Sequence, residues 1–236
     1  MSYIPAIITA SVALIAAICS QIFSNHLTIR REEINELKSV QRLLITNYLN
    51  DILLVLYSSN KGNLESWEQD IHLQNIINKM QGDIGILSPV IQAEISTYSV
   101  REYLDHFDSD QEKVLEFRII FYLLCYIKEV SMKANVNVSP SFENIIHSAA
   151  VEYAYLAIST EVEGYDIALN NLRNIRHFNS GLLNVFTLEE MKSMIEYSDV
   201  QMREVLIDLV INTNIDMLNS CLVTCASSNS VSPKTK

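Results

Sequence analysis

The feature that most constrains this chain is an uncharged, apolar stretch that runs from Ile4 to Phe23. No Asp, Glu, Lys or Arg occurs before Arg30. A helix needs about 20 residues to cross the roughly 30 Å hydrocarbon core of a bilayer. The stretch is just long enough, and a charged helical pattern follows it. The sequence therefore predicts a single transmembrane helix that carries a body outside the membrane.

Two alternatives share this apolar pattern, namely a cleaved signal peptide and a buried helix of a soluble protein. A signal peptide has a positively charged segment before its apolar core and a small-residue cleavage site after it. Here only Met1, Ser2 and Tyr3 precede the apolar run, and none of them is basic. The length and the flanks therefore favour a retained anchor over both alternatives.

Basic residues on one side of the apolar stretch predict its orientation. Arg30, Arg31, Lys38 and Arg42 follow the stretch, whereas no Lys or Arg precedes it. Basic residues close to a transmembrane helix are retained in the cytoplasm. We therefore expect the protein in the inner (plasma) membrane, with its N-terminus outside and its body in the cytoplasm.

Alanines recur at helical spacing within the predicted anchor, at Ala6, Ala10, Ala13 and Ala17. Small residues allow two helix backbones to approach closely, and this close packing drives helix association in lipid. The stripe therefore predicts an oligomerisation face and a homo-oligomer. The alternative is that alanine is simply common in membrane anchors.

The composition predicts an all-α protein in which the transmembrane helix continues into a helical bundle. Hydrophobic residues make up 49% of the chain, which contains only five glycines and four prolines, as a compact helical protein would. No Pro or Gly interrupts the sequence between the apolar stretch and Tyr57. We expect four regions: a transmembrane anchor (1–25), a stalk helix (26–58), a cytoplasmic helical bundle (59–226) and a disordered tail (227–236).

The predicted stalk has an apolar stripe that two different partners could cover. Its approximate heptad positions are Ile34, Leu37, Gln41, Leu44 and Tyr48. The stripe could pack against a neighbouring copy, as in a coiled coil, or onto the body of the same chain. The sequence leaves both alternatives open.

Start signals and apolar runs predict the helices of the body. Ser88 followed by Pro89 starts a helix that should run to about Phe107. The uncharged run from Ile119 to Ile127 is too short to cross a bilayer, so it predicts a central buried helix. An earlier helix should use the following residues in the core: Trp67, Ile71, Ile76 and Ile77.

The charge and the cysteines limit the classes of partner. The net charge of −11 disfavours general nucleic-acid binding, which depends on contacts to phosphate. Cys221 and Cys225 are four residues apart on a predicted helix, which is a poor geometry for a disulfide. No matching pair of Cys or His residues accompanies them, so we expect free thiols in a reducing compartment, no metal site and no cofactor. The expected partners are the lipid bilayer, further copies of the chain and a cytoplasmic protein.

One short motif carries potential chemistry. Arg101 is followed, after four residues, by His106 in the segment REYLDH. This spacing is similar to the R-x4-6-H signature of HEPN ribonucleases, although Glu102 stands where that family usually has Asn, Asp or His. The resemblance implies an all-helical dimer in which Arg101 and His106 of two subunits cleave RNA. The alternative is a surface arginine beside a structural or solvated histidine.

The layout of an anchor and a helical body also resembles single-pass accessory and effector proteins of bacterial antiphage defence. That likeness implies oligomeric assembly that perturbs a membrane. We therefore predict a non-enzymatic, membrane-anchored assembly protein that forms a pore or disrupts the membrane. A membrane-tethered HEPN-like ribonuclease and a non-catalytic membrane adaptor are the alternatives.

Overall fold

The computed structural model describes residues 3–60, 66–103, 108–134, 139–178 and 181–196, together with positions 204, 206–208 and 210. Within these residues the chain is helical and contains no β-strand, which confirms the all-α prediction. The elements are α1 (Ile4–Leu44), a π-helical turn (Ile45–Leu49), α2 (Asn50–Asn60), α3 (Ser66–Gly82), a 3-10 turn (Ile84–Ile86), α4 (Pro89–Val100), a 3-10 turn (Arg101–Tyr103), α5 (Ser109–Lys133), α6 (Pro140–Glu163), α7 (Tyr165–Phe178), a 3-10 turn (Leu182–Val185) and α8 (Leu188–Glu196).

The first helix continues into the body without a break, as the sequence predicts. α1 has 41 residues, which corresponds to a length of about 62 Å. The π-helical turn joins it to α2, and two side chains from the neighbouring segment hold this joint. Lys79 Nζ donates to the carbonyl oxygen of Asn47 at 2.8 Å, and the Tyr48 hydroxyl donates to Asp83 Oδ2 at 2.5 Å.

The second half of the predicted stalk packs onto the chain's own body. Gln41, Leu44 and Tyr48 are buried, whereas Ile34 and Leu37 are half-buried. Gln41 Nε2 also donates to Ser131 Oγ on α5 at 2.9 Å, and both side chains are buried. The apolar stripe from Gln41 onwards is therefore covered by the body, and α1 emerges from the bundle before this point.

α5 forms the centre of the bundle, as its apolar sequence predicts. Asp108 caps its N-terminus, because Asp108 Oδ1 accepts from the Gln111 amide at 2.7 Å and the Gln111 side chain accepts from the Asp108 amide. Burial of each large apolar side chain contributes about 1.5–3 kcal/mol. The following α5 residues have no exposed surface: Ile119, Ile120, Phe121, Leu123, Leu124 and Ile127.

α5 runs antiparallel to the helical segment formed by α1 and α2. Its last turns meet Gln41 through Ser131. Its earlier part lies at the level of α2, since Phe117 packs on the Tyr153 ring and the Tyr153 hydroxyl donates to the Ile52 carbonyl at 3.4 Å. The start of α5 therefore lies at the end of the bundle that is remote from the apolar segment of α1.

Two predicted details of the body are wrong. Ile71 is 48% exposed, because α3 turns the face with Leu73, Ile76 and Ile77 towards the core and Ile71 lies on another side of the helix. The α-helix that begins at Pro89 ends at Val100, where a 3-10 turn replaces it. The Trp67 side chain lies outside the described residues, as does most of the predicted C-terminal helix, although Leu206 and Val210 are buried.

Candidate functional site

The apolar part of α1 is not covered by any other described part of the chain. Every residue from Val12 to Glu33 is exposed, including Ile15, Ile22 and Phe23, which are each more than 60% exposed. Within the described residues, one helix is long and apolar enough to cross a membrane, and it is this one. A continuous apolar surface of this size marks a contact with lipid or with protein.

The helical geometry gives this segment two different faces. A rotation of about 100° per residue places the four alanines within an arc of about 60°. These residues are Ala6, Ala10, Ala13 and Ala17. Ala13 and Ala17 are exposed, whereas the side chains of the other two lie outside the described residues. Ile15, Cys19 and Ile22 lie on the opposite side of the helix, so a face of small residues is opposed by a bulkier one.

Arg101, the arginine of the ribonuclease-like motif, is engaged in internal contacts. Its Nε donates to Glu112 Oε1 at 2.7 Å, and its Nη1 donates to the Tyr98 carbonyl at 2.8 Å. The guanidinium also stacks 3.7 Å from the centre of the Tyr98 ring. His106 lies outside the described residues, so its pairing with Arg101 remains a prediction. The observed contacts are those of an arginine that joins the end of α4 to α5.

Next to Arg101, a buried polar network surrounds Glu116, which has no exposed surface. Glu116 accepts from Lys113 Nζ at 2.9 Å and from the Tyr98 hydroxyl at 3.0 Å. Burial raises the pKa of Glu116, while Lys113 and the Tyr98 hydrogen bond oppose that rise. The sequence predictions do not include this network, although a Lys and a Glu three residues apart at the start of an otherwise apolar helix are a recognisable signal.

Among the described residues, the thiols and acidic side chains form no metal-binding group. Burial raises the pKa of the Cys125 thiol to about 12, which keeps it protonated at neutral pH. Cys19 is exposed on α1, and Cys221 and Cys225 lie outside the described residues. In the part of the chain that the structure describes, no three His, Cys, Asp or Glu side chains are grouped to hold a metal ion.

Comparison with known proteins gives no relative: no family model, no curated protein and no solved structure matches this chain.

Proposed function

We propose that this protein is a membrane-anchored helical assembly protein whose copies associate through α1 and act together as a pore-forming or membrane-perturbing defence effector. The observation that carries the proposal is the uncovered apolar surface of α1 from Val12 to Phe23. The body completes its own core with other residues, so this surface is available for lipid and for further copies.

The two faces of the segment support a division of roles in the membrane. Bulky apolar side chains such as Ile15 and Ile22 suit contact with lipid tails. The alanine face suits close helix packing, since hydrophobic burial does not drive association between helices in lipid. Assembly through this face would bring several copies of α1 together, as a pore or a membrane lesion requires.

The proposed topology places the body in the cytoplasm of a cell whose inner (plasma) membrane holds α1. Arg30 and Arg31 follow the apolar segment and are exposed, as expected for residues retained on the cytoplasmic side. The body then presents an acidic surface to the cytoplasm, where a protein partner could regulate assembly. The net charge of −11 does not favour nucleic acid as that partner.

The alternative functions are a ribonuclease and a monomeric adaptor. The contacts of Arg101 with Glu112 and Tyr98 favour assembly over RNA cleavage, since a catalytic arginine must face the developing negative charge of the transition state. The stoichiometry in membranes distinguishes assembly from a monomeric adaptor.

The test replaces Ala10 and Ala13 with leucine in the full-length chain. Leucine is favourable in lipid, so we expect normal membrane insertion, but its side chain blocks close approach of two helices. The matched control, Ser11→Leu with Cys19→Leu, introduces the same two leucine side chains on the other side of the helix. Oligomer mass in lipid nanodiscs and dye entry into expressing cells are measured for both variants.

We expect the Ala10→Leu, Ala13→Leu variant to lose the oligomer and the dye entry, and the control variant to keep both. Unchanged oligomers and dye entry in the alanine-face variant would show that this face is not the interface. A wild-type chain that is monomeric in nanodiscs would favour the adaptor.

A further inference from the structure

The first part of the stalk, residues 26–40 of α1, carries exposed charges that are sorted by sign. Arg31 and Lys38 are seven residues apart and lie on one side of the helix, which we call the basic face. Glu32 and Glu36 are four residues apart and lie on another side, the acidic face. All four side chains are exposed, and within the described part of the chain none of them forms an ion pair. The stalk therefore offers two faces of opposite charge.

The spacing of these charges is unfavourable for a helix that stands alone. Opposite charges three or four residues apart stabilise a helix, and like charges at that spacing destabilise it. Glu32 and Glu36 have the same sign at this spacing, as have Lys38 and Arg42. No acidic residue lies three or four positions from Arg31 or Lys38, and no basic residue lies at that distance from either glutamate. The charges of both faces therefore suit partners on another helix.

The body leaves both charged faces free. A third side of the helix packs on the body, where Gln41 and Leu44 are buried and Leu37 is half-buried. A rotation of about 100° per residue places this side, the basic face and the acidic face roughly 120° apart. Ala13 and Ala17 of the alanine face lie on the arc between the two charged faces, away from the side of the body. A second copy can therefore approach either charged face without displacing the body.

We propose that copies of this protein contact each other through the stalk, with the basic face of one copy against the acidic face of the next. The inference rests on the proposed assembly through α1, which holds all copies in one membrane at the same height. Glu32 then lies within about 1.5 Å of the height of Arg31 on the neighbouring copy. Glu36 lies within about 3 Å of the height of Lys38. Each charge therefore meets an opposite charge on the neighbour.

Such a contact uses different surfaces on the two partners, so it can repeat from copy to copy. A repeated contact of this kind forms a ring when the rotation between copies closes. Because the charged faces are about 120° apart and not 180°, a row of copies curves, with the bodies outside and the alanine face inside. Exposed ion pairs contribute little individually, so these pairs determine which faces meet, while the membrane segments supply the close packing.

The test reverses the charges of one face at a time in the full-length chain. Arg31→Glu with Lys38→Glu makes both stalk faces acidic, and Glu32→Lys with Glu36→Lys makes both basic. Copies that carry a donor or an acceptor fluorophore after Lys236 are mixed in zwitterionic liposomes, and energy transfer is measured over a range of protein-to-lipid ratios. We expect each variant alone to associate at least about tenfold more weakly than the wild type, because like charges then face each other.

Mixing the two variants separates a charge contact from a general loss of structure. In the mixture every acidic face meets a basic face, so energy transfer between the two variants should return to the wild-type level. The chain with all four substitutions should also associate like the wild type, because its faces stay complementary and its net charge is unchanged. The matched control is Arg30→Glu with Glu33→Lys, which reverses two exposed charges on the side of the body and should leave association unchanged.

Two results would overturn the stalk interface and leave assembly through α1 intact: wild-type association of a reversed variant alone, or weak association that mixing does not restore. Circular dichroism and flotation with liposomes establish that each variant is folded and inserted. If the variant with two acidic faces fails either check, Glu32→Lys with Glu36→Lys must lose association and the four-substitution chain must regain it. Absence of energy transfer between wild-type copies at every ratio would instead contradict assembly through α1, and the stalk interface with it.

Discussion

Removing Lys113 should lower the free energy of unfolding, because the buried carboxylate of Glu116 then has no cation beside it. Lys113 Nζ lies 2.9 Å from Glu116 Oε2, and both residues are buried. Lys113→Met keeps the hydrocarbon length of the side chain but leaves Glu116 without its cation. Breaking one partner of a buried ion pair typically costs about 3–5 kcal/mol of unfolding free energy. We expect a loss of that size at neutral pH.

A double variant separates the lost charge from lost packing. Lys113→Met with Glu116→Gln leaves no charge in the network, and the glutamine still offers an acceptor to the Tyr98 hydroxyl. We expect the double variant to have an unfolding free energy at least about 2 kcal/mol higher than that of Lys113→Met alone. Lys133→Met is the control on the same helix, because its ion pair with Glu129 is exposed and should contribute less than about 1 kcal/mol.

The contribution of Glu116 to folding stability changes with pH in a defined direction. Burial raises the pKa of Glu116 in the folded protein, so folding favours its protonated form. The corresponding stability is present below the pKa of the unfolded chain and is lost as the pH rises through the folded-state pKa. Lys113 opposes this loss, and the destabilisation by Lys113→Met should therefore grow from acidic to neutral pH.

These differences in unfolding free energy are measured by urea titration of the chain in nonionic detergent. Unfolding is followed by the fluorescence of Trp67, the single tryptophan of the sequence. Equal destabilisation of Lys113→Met and the double variant would refute the reasoning, because the cost would then come from packing and not from an unpaired charge. A cost that falls from acidic to neutral pH would refute the assignment of the sign.

Three further expectations follow from the other contacts and from the proposed topology. His106→Ala should retain full membrane-perturbing activity, because Arg101, the other residue of the ribonuclease-like motif, is engaged with Glu112. Loss of activity in a folded, normally assembled variant, together with RNA cleavage by the wild-type chain, would favour the ribonuclease. Ser131→Ala should lower the free energy of unfolding by about 1–3 kcal/mol, measured by urea titration, because the buried Gln41 amide loses its hydrogen-bond partner. Combining Ser131→Ala with Gln41→Leu should restore most of the lost stability. A reporter that functions only in the cytoplasm should be active when it is fused after Lys236. Activity of a reporter that functions only in the periplasm would contradict the proposed orientation.

The helix boundaries were predictable where local chemistry decides them. Pro89 starts α4, and Pro140 starts α6, because a proline at the first helical position loses no helical hydrogen bond. Thr187 and Glu190 form a capping box at the start of α8, and this four-residue pattern is recognisable from the sequence alone. The continuity of α1 into α2 follows from the absence of Pro and Gly. These signals lie within a few residues of each other in the sequence.

The remaining features depend on residues that are distant in the sequence. Whether the stripe at Gln41 meets another copy or the chain's own α5 depends on Ser131, ninety positions away. The prediction that Ile71 lies in the core is wrong, because apolar character alone does not reveal which face of α3 the rest of the bundle covers.

Cysteine cross-linking in native membranes tests the central claim that copies associate through the alanine face. Cys19 lies opposite that face and is exposed, so it provides an internal comparison with a cysteine introduced by Ala13→Cys. Each is tested as the single cysteine of the chain, with the other native cysteines replaced by Ser or Ala. We predict that oxidation yields covalent dimers for Ala13→Cys and few for Cys19. Efficient cross-linking through Cys19, or none through Ala13→Cys, would contradict the account.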